Sequence, residues 1–260
     1  MAGQLQDKVT IVTGASRGIG KAICLLFAAE GAKVVAAART EQPGQHPLPG
    51  SVQETVAEIK AAGGQGLAVR CDISKPEDIE NLVAATRAAF GPVDVVVNNA
   101  ALNYFIPVAE FPLRRWNKMI EVDLTGPFLL IQAALPDMFA AGGGHIVNIT
   151  SGAARHPGGP PYTMPRSPMT PYGITKAALN RLTTGLAQEV YDKNIAVNAV
   201  GPSAFVPTEG ALFLGETGGG EQEPVAYMAR AALFFATCDP KRHTGTVTSS
   251  QELLREQGLL

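Results

Sequence analysis

Thr13-Gly14-Ala15-Ser16-Arg17-Gly18-Ile19-Gly20 is the stretch whose reading decides the fold. It follows a short apolar run, 9–12, and opens a longer stretch, 19–30, with apolar residues at helical spacing. Glycine lets the backbone turn sharply and approach an anion closely. The helix that follows offers free N–H groups and a positive dipole end. The spacing is G-x-x-x-G-x-G rather than G-x-G-x-x-G. A glycine cluster alone reads equally as a tight turn. The strand before it and the helix after it favour a dinucleotide site.

The same alternation continues outward. Runs 33–38, 67–70, 93–97, 145–149 and 195–200 are rich in Val, Ile and Ala and lack polar alternation, as strands covered on both faces do. Between them, 52–62, 76–90, 113–140 and 172–191 are long enough for helices, and 224–237 precedes a last strand at 246–250. Ser74 and Glu77 read as a capping box at the start of helix 76–90. The order predicts an α/β fold, a doubly wound, Rossmann-like parallel sheet of about seven strands with helices on both faces.

Composition narrows the classes of function. The 260-residue chain is 46% hydrophobic and 17% charged, with a formal net charge of −2. That is too apolar for a disordered chain, and it lacks the basic excess of a nucleic-acid binder. A single domain over 1–260 is expected at this length. Cys24, Cys71 and Cys238 form no C-x-x-C pair, so neither a metal site nor a disulfide framework is expected. They read as reduced thiols in a cytoplasmic protein. The polar start, 1–8, shows no secretory signal, and the apolar stretches look broken short of a membrane span.

The end of the second strand chooses between NAD and NADP. An acid there hydrogen-bonds the adenosine ribose hydroxyls and repels a 2′-phosphate. This strand ends Ala36-Ala37-Ala38 and is followed by Arg39. A guanidinium at that place forks onto a 2′-phosphate and stacks on adenine. Arg17, in the glycine loop, lies within reach of the same phosphate. Either arginine alone reads as a solvated surface residue. Together they favour NADP over NAD.

Three further pieces fall into register with the glycine loop. Asn98-Asn99-Ala100-Ala101 follows the fourth strand, Ser151 follows the fifth, and Tyr172-Gly173-Ile174-Thr175-Lys176 opens a helix. The set resembles the short-chain dehydrogenase/reductase family, with its N-N-A-G segment, its serine and its Y-x-x-x-K, from about Asp7 to Thr208 and more loosely to Val247. The resemblance implies an oxidoreductase that moves a hydride between NADP(H) and a carbonyl or alcohol. Tyr172 would be its general acid/base. A free tyrosine titrates at about 10, so working near neutrality requires a fall worth roughly 4 kcal/mol. Lys176, one helical turn along the same face, supplies charge that favours the phenolate, and in the family it also binds the nicotinamide ribose. Ser151 would hydrogen-bond the substrate oxygen. The plainer reading is a core tyrosine, a surface lysine and a turn serine.

By the same resemblance Gly14, Ser16, Arg17, Gly18, Ile19 and Gly20 form the cofactor loop, and Asp72 and Ile73 border the adenine. Asn99 and Ala100 line the cofactor's path, and Pro202, Val206 and Thr208 cover the nicotinamide.

Four departures stand out. Asp123, in Glu121-Val122-Asp123-Leu124-Thr125-Gly126, occupies the place of the family's usual asparagine. The backbone carbonyl there serves a proton relay from the lysine. The added carboxylate would partly neutralise Lys176 and oppose a tyrosinate. Ala101 and Ser203 stand where the family has glycine. The segment between Ser151 and Tyr172 is long, its extra residues falling in the Pro-rich insert 155–171. Tyr162 lies in that insert but is followed by Arg166 rather than lysine, so Tyr172 is the catalytic choice. The departures keep a second reading open, a catalytically weak NADP-binding regulatory protein. The intact Ser151, Tyr172 and Lys176 favour the enzyme.

Loops 101–112, 152–171 and 201–223 are the substrate side. Leu102, Phe105, Ile106, Phe205, Leu212, Phe213 and Leu214 suit a medium-sized apolar carbonyl or alcohol, unless they only pack the loops down. Gly218-Gly219-Gly220 suggests a hinge for a lid. Helices 113–140 and 172–191 resemble those of the family's subunit interface, so a homo-tetramer or dimer is expected. Residues 251–260 read as a short amphipathic helix over the pocket or an interface.

Overall fold

The Val- and Ala-rich runs pair side by side, because each is apolar on both faces and hides both. In the computed structural model, which describes residues 3–160, 162, 168–213, 215 and 220–260, they build one seven-stranded sheet. The strands are β1 (Val9–Thr13), β2 (Lys33–Ala38), β3 (Gln65–Arg70), β4 (Val95–Asn98), β5 (Gly144–Ile149), β6 (Ile195–Gly201) and β7 (Val247–Ser249). The order is β3-β2-β1-β4-β5-β6-β7, and every pairing is parallel. The chain changes direction across the sheet between β1 and β4. A crevice opens at that switch point, outside the carboxyl ends of the strands.

Helices cover both faces. On one side α1 (Gly18–Ala29), α2 (Val52–Ala61) and α8 (Val225–Thr237) bury Ile23, Phe27, Ile59, Met228 and Phe235 against Val12, Val34 and Val97. On the other, α3 (Pro76–Phe90), α5 (Gly126–Ala141) and α6 (Thr170–Glu189) bury Leu82, Leu130 and Leu186 against Ile11, Val35 and Val96. Each such side chain, taken out of water, contributes about 1.5–3 kcal/mol. The shorter helices are α4 (Leu113–Ile120), α7 (Glu209–Phe213) and α9 (Ser250–Glu256).

Three details differ from expectation. The helix expected over 113–140 is α4 and α5 joined through a wide π turn, Glu121–Thr125. Pro127 does not end the run, because a proline in the first turn of α5 needs no donor. Among the described residues this run, Leu113–Ala141, is the one helix long and apolar enough by length and composition to cross a membrane: 29 residues, with an 18-residue stretch of mean hydropathy 1.3. Here its apolar side, with Met119, Leu130, Ala134 and Met138, lies in the core beside the sheet.

The capping box expected at Ser74 is absent. Lys75 caps α3 without a side-chain bond, and Ser74 Oγ donates to Asp72 Oδ1 at 2.7 Å instead. The Lys118 ammonium donates to the same hydroxyl, which is thus engaged on both sides and turned from the helix amides. A capping box stands at α2: Ser51 Oγ accepts the Glu54 N–H at 3.1 Å and donates to the Glu54 carboxylate at 2.8 Å.

Candidate active site

The crevice is walled by the loops that leave β1, β2, β3 and β4. It holds a cavity of about 280 Å³. Gly14, Arg17 and Gly18 line its middle, Arg39 and Asp72 the β3 side, and Asn99 and Thr208 the β4 side. Glycine is required where the loop closes on itself. Gly14 has φ +66°, and a Cβ there would lie 2.8 Å from Asn99 Nδ2; one on Gly20 would lie 2.3 Å from the Gly14 carbonyl oxygen. Asn99 fixes this contact. Its Nδ2 donates to the Thr13 and Gly14 carbonyls at 2.8 and 3.2 Å, while Thr13 Oγ1 accepts the Asn99 and Ala100 N–H groups. β4 is thereby stapled to the glycine loop.

The residues fit a dinucleotide. The N-terminus of α1 has no side-chain cap and no acid in its first turn, unlike that of α2. Its open N–H groups and dipole face the cavity that Arg17, Gly18 and Ile19 line. No carboxylate stands directly at the end of β2, where Arg39 follows Ala38. Arg39 is exposed on the cavity wall there. Arg17 is engaged differently: its guanidinium donates to three backbone carbonyls, those of Pro49 at 2.7 Å, Gly50 at 3.1 Å and Leu48 at 3.4 Å. It clasps the 41–50 loop onto the phosphate loop.

The second cluster sits at the ends of β5 and β6 and the start of α6. Ser151 follows β5 and caps a single 3₁₀ turn, Gly152–Ala154, its Oγ accepting the Ala153 N–H at 3.2 Å. α6 seats its first turn against that 3₁₀ turn: a Cβ on Gly173 would lie 2.6 Å from the Ala153 carbonyl oxygen. The turn that carries Tyr172 is thereby packed against the turn that Ser151 caps. Lys176, one turn on, is 2% exposed, donates to the Ile149 carbonyl at 2.9 Å, and lies 5.6 Å from the centre of the Tyr172 ring. Burial pushes the ammonium's pKa down, and Asp123 opposes that shift.

Asp123, fully buried in the wide turn, accepts the Leu102 N–H at 2.7 Å and the Thr175 hydroxyl at 3.0 Å. Burial raises its pKa, against the lowering pull of Lys176 and of these two donors. Behind Ser151 a recess of about 80 Å³ runs to Pro202, Arg155 and Asn180.

Comparison with known proteins agrees with this geometry. The family model for short chain dehydrogenases matches residues 8–212. The chain belongs to the short-chain dehydrogenase family. It is 34% identical to hydroxysteroid dehydrogenase-like protein 2 of Bos taurus and 33% identical to that of Danio rerio, over 99% of this chain and 60% of each relative. The chain therefore spans about 60% of the length of the curated relatives it matches. A short-chain type dehydrogenase/reductase from Mycobacterium marinum superposes with a TM-score of 0.83 at 28% identity, covering 94% of each chain. A metagenomic short-chain oxidoreductase in complex with NADP has a TM-score of 0.77 at 31% identity, covering 94% of this chain and 97% of that one.

Within this short-chain dehydrogenase chain, Gly14, Ser16, Arg17, Gly18, Ile19, Arg39, Asp72, Ile73, Asn99, Ala100 and Thr208 all border the 280 Å³ cavity. Gly20 lies beneath it against Gly14, and Val206 packs into the core with α8. Ala101 stands exposed at the cavity rim. Ser203 is anchored: its Oγ accepts the Gln251 N–H at 2.9 Å. Tyr162 is 69% exposed and bonded to the Gly158 carbonyl. Arg166, Leu214, Gly218 and Gly219 lie outside the described residues. Leu212 and Phe213 point largely to solvent on α7.

Two residues at the site carried no motif signal. Thr13 is a buried acceptor that orders the Asn99 turn. His46 lines the cavity from the 41–50 loop, eight residues past the end of β2.

Proposed function

We propose that the protein is an NADP-preferring dehydrogenase/reductase that interconverts a carbonyl and an alcohol, with Tyr172 as general acid/base. The observation that carries the reading is the buried Lys176 ammonium 5.6 Å from the Tyr172 ring. A cation sealed from water beside a phenol favours the phenolate more than an exposed one would. The nicotinamide, when bound, supplies the hydride donor or acceptor. Tyr172 gives its phenolic proton to the substrate oxygen in reduction and takes the hydroxyl proton in oxidation. Ser151 Oγ steadies the charge on that oxygen. Lys176, held by the Ile149 carbonyl, keeps its charge aimed at the phenol.

The preference for NADP rests on Arg39 at the end of β2 and on the want of a carboxylate there. The NADP-bound oxidoreductase of similar fold supports it. The apolar substrate rests on Leu102, which lines the cavity, and on Phe105 and Ile106 further along the same loop. A homo-oligomer rests on Phe128, Phe139 and Ile174, each close to half exposed on α5 and α6.

The test is oxidation of NADPH and of NADH against a panel of apolar and polar carbonyls, with Tyr172→Phe as control. Turnover that prefers NADPH and is lost in the variant is expected. NADPH binding without turnover on the whole panel would favour the regulatory alternative. A preference for NADH would overturn the cofactor assignment.

A further inference from the structure

We propose that His46 is a specificity residue for the adenosine phosphate of the cofactor and makes NADPH affinity depend on pH. The proposal rests on the NADP reading above and goes beyond it, because nothing in the strand-end arginine rule points to the 41–50 loop.

The loop is seated firmly. Arg17 holds the carbonyls of Leu48, Pro49 and Gly50. Gly50 packs so closely on the phosphate loop that a Cβ there would lie 2.4 Å from the Ser16 carbonyl oxygen. At the far end Val52 N–H bonds the Thr40 carbonyl at 3.1 Å. His46 lies between these ties and lines the cavity together with Arg17, Arg39 and Thr40. Its Nδ1 sits 3.0 Å from the Leu48 N–H and accepts from it. That bond fixes the tautomer, so Nε2 carries the proton and is the ring's donor. A neutral donor flanked by two guanidinium groups is a site for an anion with several acceptor oxygens, and a phosphate monoester is such an anion.

The charges around the ring set the direction of the pH effect. Desolvation and the positive charges of Arg17 and Arg39 hold the imidazole below its usual pKa. Of the acids nearby, Glu209 acts on Arg17 and Asp72 is acted on by Arg39. A dianion beside His46 reverses the balance and raises its pKa, and the proton taken up enters Nδ1 in place of the Leu48 N–H. Binding then takes up a proton, so affinity falls as pH rises through the pKa of the bound form. Neither the nicotinamide nor the 5′-diphosphate is needed for this.

The experiment titrates the whole protein with 2′,5′-ADP and with 5′-AMP by calorimetry from pH 5.5 to 8, in two buffers of different ionisation heat. A phosphate monoester titrates near about 6 itself, so the variant supplies the reference. We expect His46→Gln to weaken 2′,5′-ADP about tenfold at pH 6 and less at pH 8, to leave 5′-AMP unchanged, and to lose the excess proton uptake. His46→Lys should keep the preference and flatten its pH dependence. If wild type prefers 2′,5′-ADP but His46→Gln matches it in affinity and proton uptake, His46 only packs the loop and the proposal is overturned while the NADP reading survives. If wild type binds the two ligands equally, both are overturned.

Discussion

Asp123 Oδ1 accepts the Leu102 N–H at 2.7 Å, so the carboxylate ties the wide turn between α4 and α5 to the loop that leaves β4. Its other oxygen takes the Thr175 hydroxyl, one residue before Lys176. One buried side chain joins the expected substrate loop, the wide turn and the helix that carries Tyr172.

Asp123→Asn should preserve this geometry, with Oδ1 accepting from Leu102 and Nδ2 donating to Thr175, which keeps its own bond to the Tyr172 carbonyl. Removing the negative charge favours a phenolate at Tyr172. The acid limb of kcat/KM for alcohol oxidation should move to lower pH by about one unit, or ~1.4 kcal/mol. Stability gives a second reading. Asp123 titrates higher in the folded chain than in the unfolded one, so its cost is fullest above that folded pKa and is relieved as pH falls. The wild type should gain stability relative to the variant between pH 7 and pH 4. A profile that does not move would mean that the charge plays no part.

Asn99→Ala removes the bonds that bind β4 to the glycine loop. It leaves the Thr13 and Gly14 carbonyls short of a donor, at a cost of about 1–2 kcal/mol. NADPH affinity, read by fluorescence titration, should fall about tenfold because the loop is no longer held in its turn. Unaltered affinity would place the staple outside cofactor binding.

Glu223 is 1% exposed and accepts from Ser250 Oγ at 2.7 Å, Gln251 Nε2 at 3.0 Å and the Ser203 N–H at 3.2 Å. Together with Ser203 it pins the loop after β6 to α9. Glu223→Ala strands Ser250 Oγ and Gln251 Nε2 and leaves the Ser203 N–H with Ser250 Oγ alone, which should cost about 1–3 kcal/mol. It should also speed protease cleavage between residues 206 and 220, while cleavage elsewhere is unaffected. Equal cleavage rates would show that the loop is held by other contacts.

Ser51→Ala deletes the capping box of α2. A loss of about 1 kcal/mol is expected, seen as a fall of roughly 2–4 °C in Tm. A Tm within 0.5 °C of wild type (roughly a tenth of a kcal/mol) would count against the cap.

The cysteines should be inert in the folded protein. Burial pushes the thiols of Cys71 and Cys238 up to about 12 and that of Cys24 higher still. Thiolate is the reactive form, so iodoacetamide at pH 8 should label native protein far more slowly than unfolded protein. Mass spectrometry showing one native label per chain within minutes would contradict the burial.

The fold was legible because β1, β2, β4 and β6 are apolar on both faces, a pattern that only covered strands tolerate. Of the expected site, the fold places Lys176 beside the Tyr172 ring and Arg39 on the cavity wall, and what they do there is the proposal above. The site was not legible where the contact depends on which backbone comes near. Arg17 reads as a phosphate ligand, yet the carbonyls of Leu48, Pro49 and Gly50 take its guanidinium. Ser74 reads as a helix cap, yet Asp72 takes its hydroxyl. At Arg17 backbone acceptors come within reach, at Ser74 the distant Lys118 ammonium donates to the hydroxyl, and only the fold decides either contact.

The clasp on Arg17 has a consequence for how this protein can change over time. Its acceptors are main-chain oxygens, so replacing the side chains of Leu48 or Pro49 does not delete it. Gly50 is the exception, since the phosphate loop leaves no room for a Cβ. Between these ties Gln45 Oε1 takes the Glu41 and Gln42 N–H groups and His46 Nδ1 that of Leu48, so it is Gln42, Pro43 and Pro47 whose side chains can drift while the path stays fixed. A loop whose course is held by its ends, and whose middle faces the ligand, is a place where new nucleotide preferences can be tried without risking the fold.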